Sequence, residues 1–104
     1  MLFHVTMTHT ADNCQAYHTE KMPEAIASLD KLEEVGKEVN VKAHALLCGA
    51  PDHVAYAVLE ADSLVAIGRY LNSIAITQDF KITPVQNVSE VVELAKAVMA
   101  RVKK

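Results

Sequence analysis

The histidine and cysteine side chains of this chain lie entirely within its first half. Its five histidines and two cysteines all occur within residues 1–53. The first cluster is His4, His9, Cys14 and His18, and the second is His44, Cys48 and His53. Imidazole and thiolate groups are suited to proton transfer near neutral pH, to nucleophilic attack and to binding of borderline metals such as zinc. We therefore expect a chemical site if the fold brings the two clusters together.

Size and composition limit the classes of function. A chain of 104 residues with 51% hydrophobic and 22% charged residues indicates a single globular domain over residues 1–104. The net charge of −3 offers no general attraction to phosphate backbones, which argues against nucleic acid as a partner. The opening segment MLFHVTMTHT has no basic leader and no long apolar run. We expect a cytoplasmic protein with reduced thiols and no membrane partner.

The first half predicts a strand, a long loop and a helix. Residues 2–10 are rich in β-branched side chains and alternate in polarity, which predicts a strand. Its helix-facing residues are expected to be Phe3, Val5 and Met7, leaving His4, Thr6 and Thr8 on the other side. Residues 11–22 are polar and irregular, so we expect a functional loop or a lid. Pro23 suits the first turn of a helix that should end near residues 36–38.

The second half predicts a hairpin, a helix, a short strand and a last helix. The segments are a strand at 39–48, a strand at 53–60, a helix at 64–72 and a strand at 80–86. Gly49-Ala50-Pro51-Asp52 is a turn sequence between the first two strands. Asp62 or Ser63 should cap the helix, and Pro84 suggests that the last strand lies at a sheet edge. Asn87-Val88-Ser89-Glu90 resembles a capping box that begins the final helix.

The order of these elements defines the predicted fold class. It is β-α-β-β-α-β with an extra C-terminal helix, the ferredoxin-like α+β pattern. In that topology the sheet is antiparallel and both helices cover one face, so the other face needs a separate cover. For a chain of this size, we expect that cover to be a second copy, as a homodimer or higher homo-oligomer.

Two stretches of the second half resemble a known superfamily. Ala55-Tyr56-Ala57-Val58-Leu59-Glu60-Ala61-Asp62-Ser63 and Asp79-Phe80-Lys81-Ile82-Thr83-Pro84-Val85 are similar to segments of the dimeric α+β barrel superfamily, and most similar to its small uncharacterised members. The resemblance implies that two ferredoxin-like sheets pair face to face. The superfamily includes isomerases, cofactor-free monooxygenases and haem-handling proteins. No catalytic motif of these branches matches this chain, so no residue role is carried over.

Strand order predicts where the two clusters meet. His9 ends the first strand at the same end of the sheet as Cys48 and His53, and the 11–22 loop leaves from this rim. A symmetric turn would place Cys48 opposite His53 and His44 opposite Ala57. On that pairing His44, Cys48 and His53 share the sheet face that the helices leave uncovered, while Val54 and Val58 lie under the helices.

The first functional hypothesis is a small-molecule-binding protein, either without catalysis or as a cofactor-free enzyme. Acid–base chemistry of an isomerase or monooxygenase kind needs a base and an enclosed pocket, and no bound cofactor. The candidate catalytic residues are His44, Cys48 and His53. The candidate substrate-binding residues are His9, Cys14, Tyr17 and His18.

Two alternatives remain open at the level of sequence. One is a transition-metal protein that binds Zn, Cu or Fe, because thiolates and imidazoles are preferred ligands of such ions. Its candidate ligands are His4, His44, Cys48 and His53, whose spacing matches no recognised zinc motif. The other is a structural or regulatory dimer without catalysis.

Overall fold

The computed structural model describes residues 1–102 and contains four strands and four α-helices. The strands are β1 (Leu2–Thr8), β2 (Lys42–Gly49), β3 (Val54–Glu60) and β4 (Asp79–Val85). The helices are α1 (Met22–Asp30), α2 (Leu32–Val39), α3 (Leu64–Asn72) and α4 (Val88–Val102). The predicted loop at 11–22 consists of short 3-10 turns at Ala11–Asn13, Gln15–Tyr17 and Thr19–Lys21, and a fourth such turn, Ala50–Asp52, joins β2 to β3.

The four strands form one antiparallel sheet in the order β2-β3-β1-β4. The α+β class is confirmed, and this arrangement is consistent with a ferredoxin-like fold. Strand β4 lies at one edge, where Pro84 is tolerated because a missing backbone N–H costs little there. Both β1 and β2 run antiparallel to β3, which lies between them, so the end of β1 and the β2–β3 turn share one end of the sheet.

The core lies between one sheet face and helices α2 and α3. In β1 the buried residues are Phe3, Val5 and Met7, as the alternation predicted. They lie beside Leu59, Ala57 and Ala55 of β3 and pack in one apolar cluster with Leu32, Ile67 and Leu71. We call the opposite sheet face, which carries His4 and Thr6, the open face.

The face assignment predicted for β3 is wrong. Leu59 is fully buried under the helices, whereas Val58 pairs with His4 on the open face. Tyr56 also lies on the open face, 41% exposed, because it pairs with Thr6. The segment VAYAVLE is apolar or aromatic at nearly every position, so a period of two cannot tell its faces apart.

The predicted first helix is divided into α1 and α2 at Lys31. Helix α2 ends on Asn40, whose φ of 61° is left-handed, a conformation that asparagine adopts more readily than most residues. The chain then turns back closely enough that a Cβ on Gly36 would lie 2.7 Å from the carbonyl oxygen of Val41. Only glycine fits at that position without a backbone shift.

Helix α3 has a side-chain cap whose removal gives a first testable effect. The Ser63 hydroxyl accepts a hydrogen bond from the backbone N–H of Ala66 at 3.2 Å. We expect Ser63→Ala to lower the free energy of unfolding by about 0.5–2 kcal/mol in urea denaturation. Ser63→Asp keeps an acceptor oxygen and should stay close to the wild type. Equal losses in both variants would show that the cap is not responsible.

Helix α4 projects from the rest of the fold. None of its residues is buried, and the chain measures 66 × 30 × 18 Å with a radius of gyration of 17.4 Å. A compact chain of this length would have a radius of about 13 Å. An apolar stripe nevertheless runs along the helix, formed by Val88, Val91, Val92, Leu94, Ala95, Val98, Met99 and Val102. Among residues 1–102, no helix combines the length and apolar character needed to cross a bilayer.

Candidate functional site

A cavity on the open face contains an imidazole–carboxylate pair. It has a volume of about 790 Å³ and lies where the start of β1 and the end of β3 meet the segment that leads into α4. Its lining residues include Leu2, His44, Val58, Glu60, Pro84 and Glu90. The mixture of apolar walls and a few polar groups is typical of small-molecule sites.

A β-bulge in β2 places His44 in this cavity. Ala43 pairs with Leu59, but Ala45 pairs with Val58, so the register shifts by one residue around His44. Such an extra residue bends the strand and redirects a side chain. The imidazole of His44 is thereby held against Glu60 at the end of β3, with 2.8 Å between Nε2 and Oε1.

The hydrogen bond to Glu60 defines the chemistry of His44. A carboxylate only accepts, so Nε2–H of the neutral imidazole donates to Oε1, and Nδ1 keeps its lone pair. The hydrogen bond from His44 is the main cause that lowers the pKa of Glu60, with Lys42 and the N-terminal amine adding smaller effects in the same direction. Glu60 therefore stays ionised at neutral pH and keeps the acceptor that His44 needs.

Glu60 was not among the residues singled out from the sequence. It stands opposite Lys42 in the β2–β3 ladder, where a glutamate is most simply a surface residue. Its contact with His44 depends on the bulge, and a single sequence has no signal for a bulge at that position. Only the structure reveals the partner that orients the imidazole.

A second cluster lies at the opposite end of β1. His9 follows β1, and its backbone N–H donates to the carbonyl oxygen of His53 at 3.2 Å. The two rings lie at 80° to each other with centroids 5.1 Å apart, and 3.2 Å separates His53 Nδ1 from His9 Nε2. The sequence placed both histidines at this rim, and the structure puts their ring nitrogens in contact.

Cys14 completes this group, which we call the rim cluster: His9, Cys14 and His53. The three potential ligand atoms all lie within 4.8 Å of one another, and each residue is half-buried. Cys14 reaches the rim from the turn that follows β1, and its thiol is free. The rim cluster thus joins two members of the first predicted cluster, His9 and Cys14, with His53 of the second.

The other predicted catalytic residue, Cys48, lies elsewhere. It pairs with Ala55, which packs against the core, so its side chain is on the helix-facing side of edge strand β2 and is exposed. The prediction that His44, Cys48 and His53 share one face is therefore wrong. First, β3 turns Ala55 toward the helices, and Cys48 pairs with Ala55 and faces the same way. Second, the bulge interrupts the alternation between His44 and Cys48, so their side chains lie on opposite faces of the sheet.

The residues predicted as metal ligands do not form one group. His4 lies on the open face with its ring centroid 6.1 Å from that of Tyr56, and His44 is bonded to Glu60. Cys48 is exposed on the other side of the sheet, and His53 contacts His9 instead. The predicted ligands His4, His44, Cys48 and His53 are therefore not brought together. Among the described residues, the potential ligands that do lie together are those of the rim cluster.

The remaining predicted substrate-binding residues, Tyr17 and His18, lie in the same loop as Cys14. Tyr17 is 69% exposed, and the His18 ring contacts the carbonyl oxygen of Asp12 and lies 3.6 Å from the Glu20 carboxylate. Tyr17 and His18 line a shallow cavity of about 320 Å³ in this loop. Their contacts are local, so they are separate from both the rim cluster and the open-face cavity.

Fold and clusters together define a small α+β protein with one uncovered sheet face and two groups of histidine-containing polar side chains. The chain belongs to the DUF3303 family, described as a domain of unknown function, which matches residues 1–99. Comparison with curated proteins gave no match.

Proposed function

We propose that this protein is a homodimeric small-molecule-binding protein and a cofactor-free acid–base enzyme, with its site in the open-face cavity. The observation that carries the proposal is the His44–Glu60 hydrogen bond of 2.8 Å within a concave, partly apolar surface. A base oriented by a carboxylate beside an apolar wall is sufficient for proton abstraction from a small acidic molecule.

His44 is the general base in this proposal, and Glu60 is its positioning residue. Glu60 accepts from Nε2–H, which leaves Nδ1 free to take a proton from a bound molecule. The resulting imidazolium is stabilised by the adjacent carboxylate. A suitable substrate is a small organic molecule with an acidic C–H or O–H group and an apolar body that packs against Leu2, Val58 and Pro84.

A second copy of the chain supplies the enclosure that the single subunit lacks. His44 and Glu60 are 38% and 52% exposed, so water weakens their interaction in the isolated subunit. The open face and the apolar stripe of α4 are both uncovered in the single chain. The resemblance to dimeric α+β barrels implies that two sheets pair through their open faces, and in this proposal the stripe of α4 packs against the partner subunit. Closure of the cavity would exclude water and strengthen the electrostatic interactions inside it.

Proton abstraction can be tested with a simple enolisable probe. We expect the protein to accelerate deuterium exchange at the acidic carbon of a small 1,3-diketone, followed by NMR. His44→Ala should reduce that acceleration by about 10²- to 10⁴-fold, the usual contribution of a general base. Glu60→Gln should cause a smaller loss, because the base remains but loses its orienting charge.

His18→Ala is the matched control, since His18 is a half-buried histidine with only local contacts in the 11–22 loop. It should exchange the probe as fast as the wild type. Backbone amide shifts caused by the probe should lie near Leu2, Val58 and Val85. An undiminished rate in folded His44→Ala would rule the proposal out.

A further inference from the structure

We infer that the rim cluster is a second, independent site that binds Zn²⁺ through His9 Nε2, Cys14 Sγ and His53 Nδ1. It does not rest on the open-face proposal, because the two sites lie at opposite ends of β1. Six residue steps separate Leu2 beside the cavity from Thr8 beside the rim, which is on the order of 20 Å.

The spacing of the donor atoms fits a tetrahedral ion. With Zn–N bonds of about 2.0–2.1 Å, two imidazole nitrogens on one tetrahedral zinc lie about 3.3 Å apart. His9 Nε2 and His53 Nδ1 are separated by 3.2 Å. All pairs of ligand atoms lie within 4.8 Å, so a small rotation of the Cys14 side chain would bring the thiolate to bonding distance.

The backbone holds these three residues in place before any ion binds. His9 and His53 are joined by the N–H···O bond of 3.2 Å between their main chains. The N–H of Cys14 donates to the Ala11 carbonyl at 3.2 Å, and the Cys14 carbonyl accepts from Tyr17 at 3.0 Å. Ligands fixed by the fold lose little conformational freedom when an ion binds, which favours affinity.

The ligand set also excludes hard cations. One thiolate and two imidazoles suit zinc and copper, whereas calcium and magnesium prefer carboxylate and carbonyl oxygens. The tetrahedral spacing of the two imidazole nitrogens favours Zn²⁺. Three protein ligands leave the fourth tetrahedral position for water, as in catalytic zinc sites. The half-buried position of each ligand gives an ion access from solvent.

Zinc binding can be measured on tag-free protein by isothermal titration calorimetry, with Co²⁺ as a spectroscopic substitute. We expect one Zn²⁺ per chain, and a thiolate-to-cobalt charge-transfer absorption with Co²⁺. Cys14→Ser should abolish that absorption and, like His53→Ala, weaken Zn²⁺ binding by more than about tenfold, since even outer-shell changes cost 10- to 100-fold.

Cys48→Ser and His18→Ala are the matched controls, because they remove the other thiol and a neighbouring imidazole without touching the rim cluster. Both should bind Zn²⁺ like the wild type, and so should His44→Ala, which separates this result from the open-face proposal. The absence of stoichiometric Zn²⁺ binding would overturn the inference. So would loss of the cobalt absorption in Cys48→Ser instead of Cys14→Ser, a readout that remains valid even if a histidine variant fails to fold.

Discussion

Replacement of Leu59 by alanine should lower the free energy of unfolding by about 2–5 kcal/mol, the usual cost of removing a buried leucine side chain. Leu59 is fully buried in β3, between Phe3 of β1 and Ala43 of β2, and its side chain packs in the core beneath α2 and α3. Its neighbours are held by the sheet and cannot collapse fully into the space, so a cavity adds to the lost burial. Since small domains have total stabilities of about 5–15 kcal/mol, this change should be severe.

Urea denaturation at a fixed protein concentration measures the effect, because oligomer stability depends on concentration. Leu64→Ala is the matched control: the same side chain is removed at the start of α3, where Leu64 is 59% exposed. The control should stay within about 0.5 kcal/mol of the wild type, as expected for a surface site. Similar losses in the two variants would contradict the assignment of β3 faces described above.

Introduction of two glutamates on the apolar stripe of α4 should convert the proposed dimer to a monomer. Val91 and Val98 are separated by two helical turns on this stripe and are 49% and 50% exposed in the single chain. Burial of an unpaired carboxylate costs several kcal/mol. The double variant Val91→Glu/Val98→Glu should therefore raise the dimer dissociation constant by at least about 10³-fold, at 1.4 kcal/mol for each factor of ten.

Sedimentation equilibrium gives the mass of wild type and variant over a range of concentrations. Ala97→Glu/Ala100→Glu adds the same charge on the opposite side of α4, where the neighbouring residues are Glu93 and Lys96. That control should remain dimeric. A wild type that sediments as a single 11.4 kDa chain at high micromolar concentration would contradict the dimer, and the uncovered stripe would then require a different partner.

Much of the fold follows from local sequence patterns. The polar and apolar alternation of β1 assigns His4 and Thr6 to the open face because each side of that strand has a distinct chemistry. Strand β3 has apolar or aromatic side chains on both sides, so its alternation is uninformative, and the prediction that Val54 and Val58 lie under the helices is wrong. A face can be predicted only where the two sides of a strand differ.

The candidate sites also differ in how far they can be predicted from the sequence. Strand order alone places His9 and His53 at one end of the sheet, and that requires no detail of register. The His44–Glu60 pair depends on one irregular residue in β2, and the position of Cys14 depends on successive 3-10 turns. Such features are determined by tertiary packing, and a single sequence does not encode them in a recognisable motif.

The bulge at His44 also bears on how the family could diversify. A bulge is one extra residue in a strand, and here that residue is His44, between Ala43 and Ala45. Deletion of its codon would restore regular pairing while the sheet remained intact. The imidazole would then be lost from the cavity in one evolutionary step, and Glu60 would lose its hydrogen-bond partner. Relatives that differ by one residue in the length of β2 should accordingly fall into two groups, with and without this chemistry, on a shared scaffold.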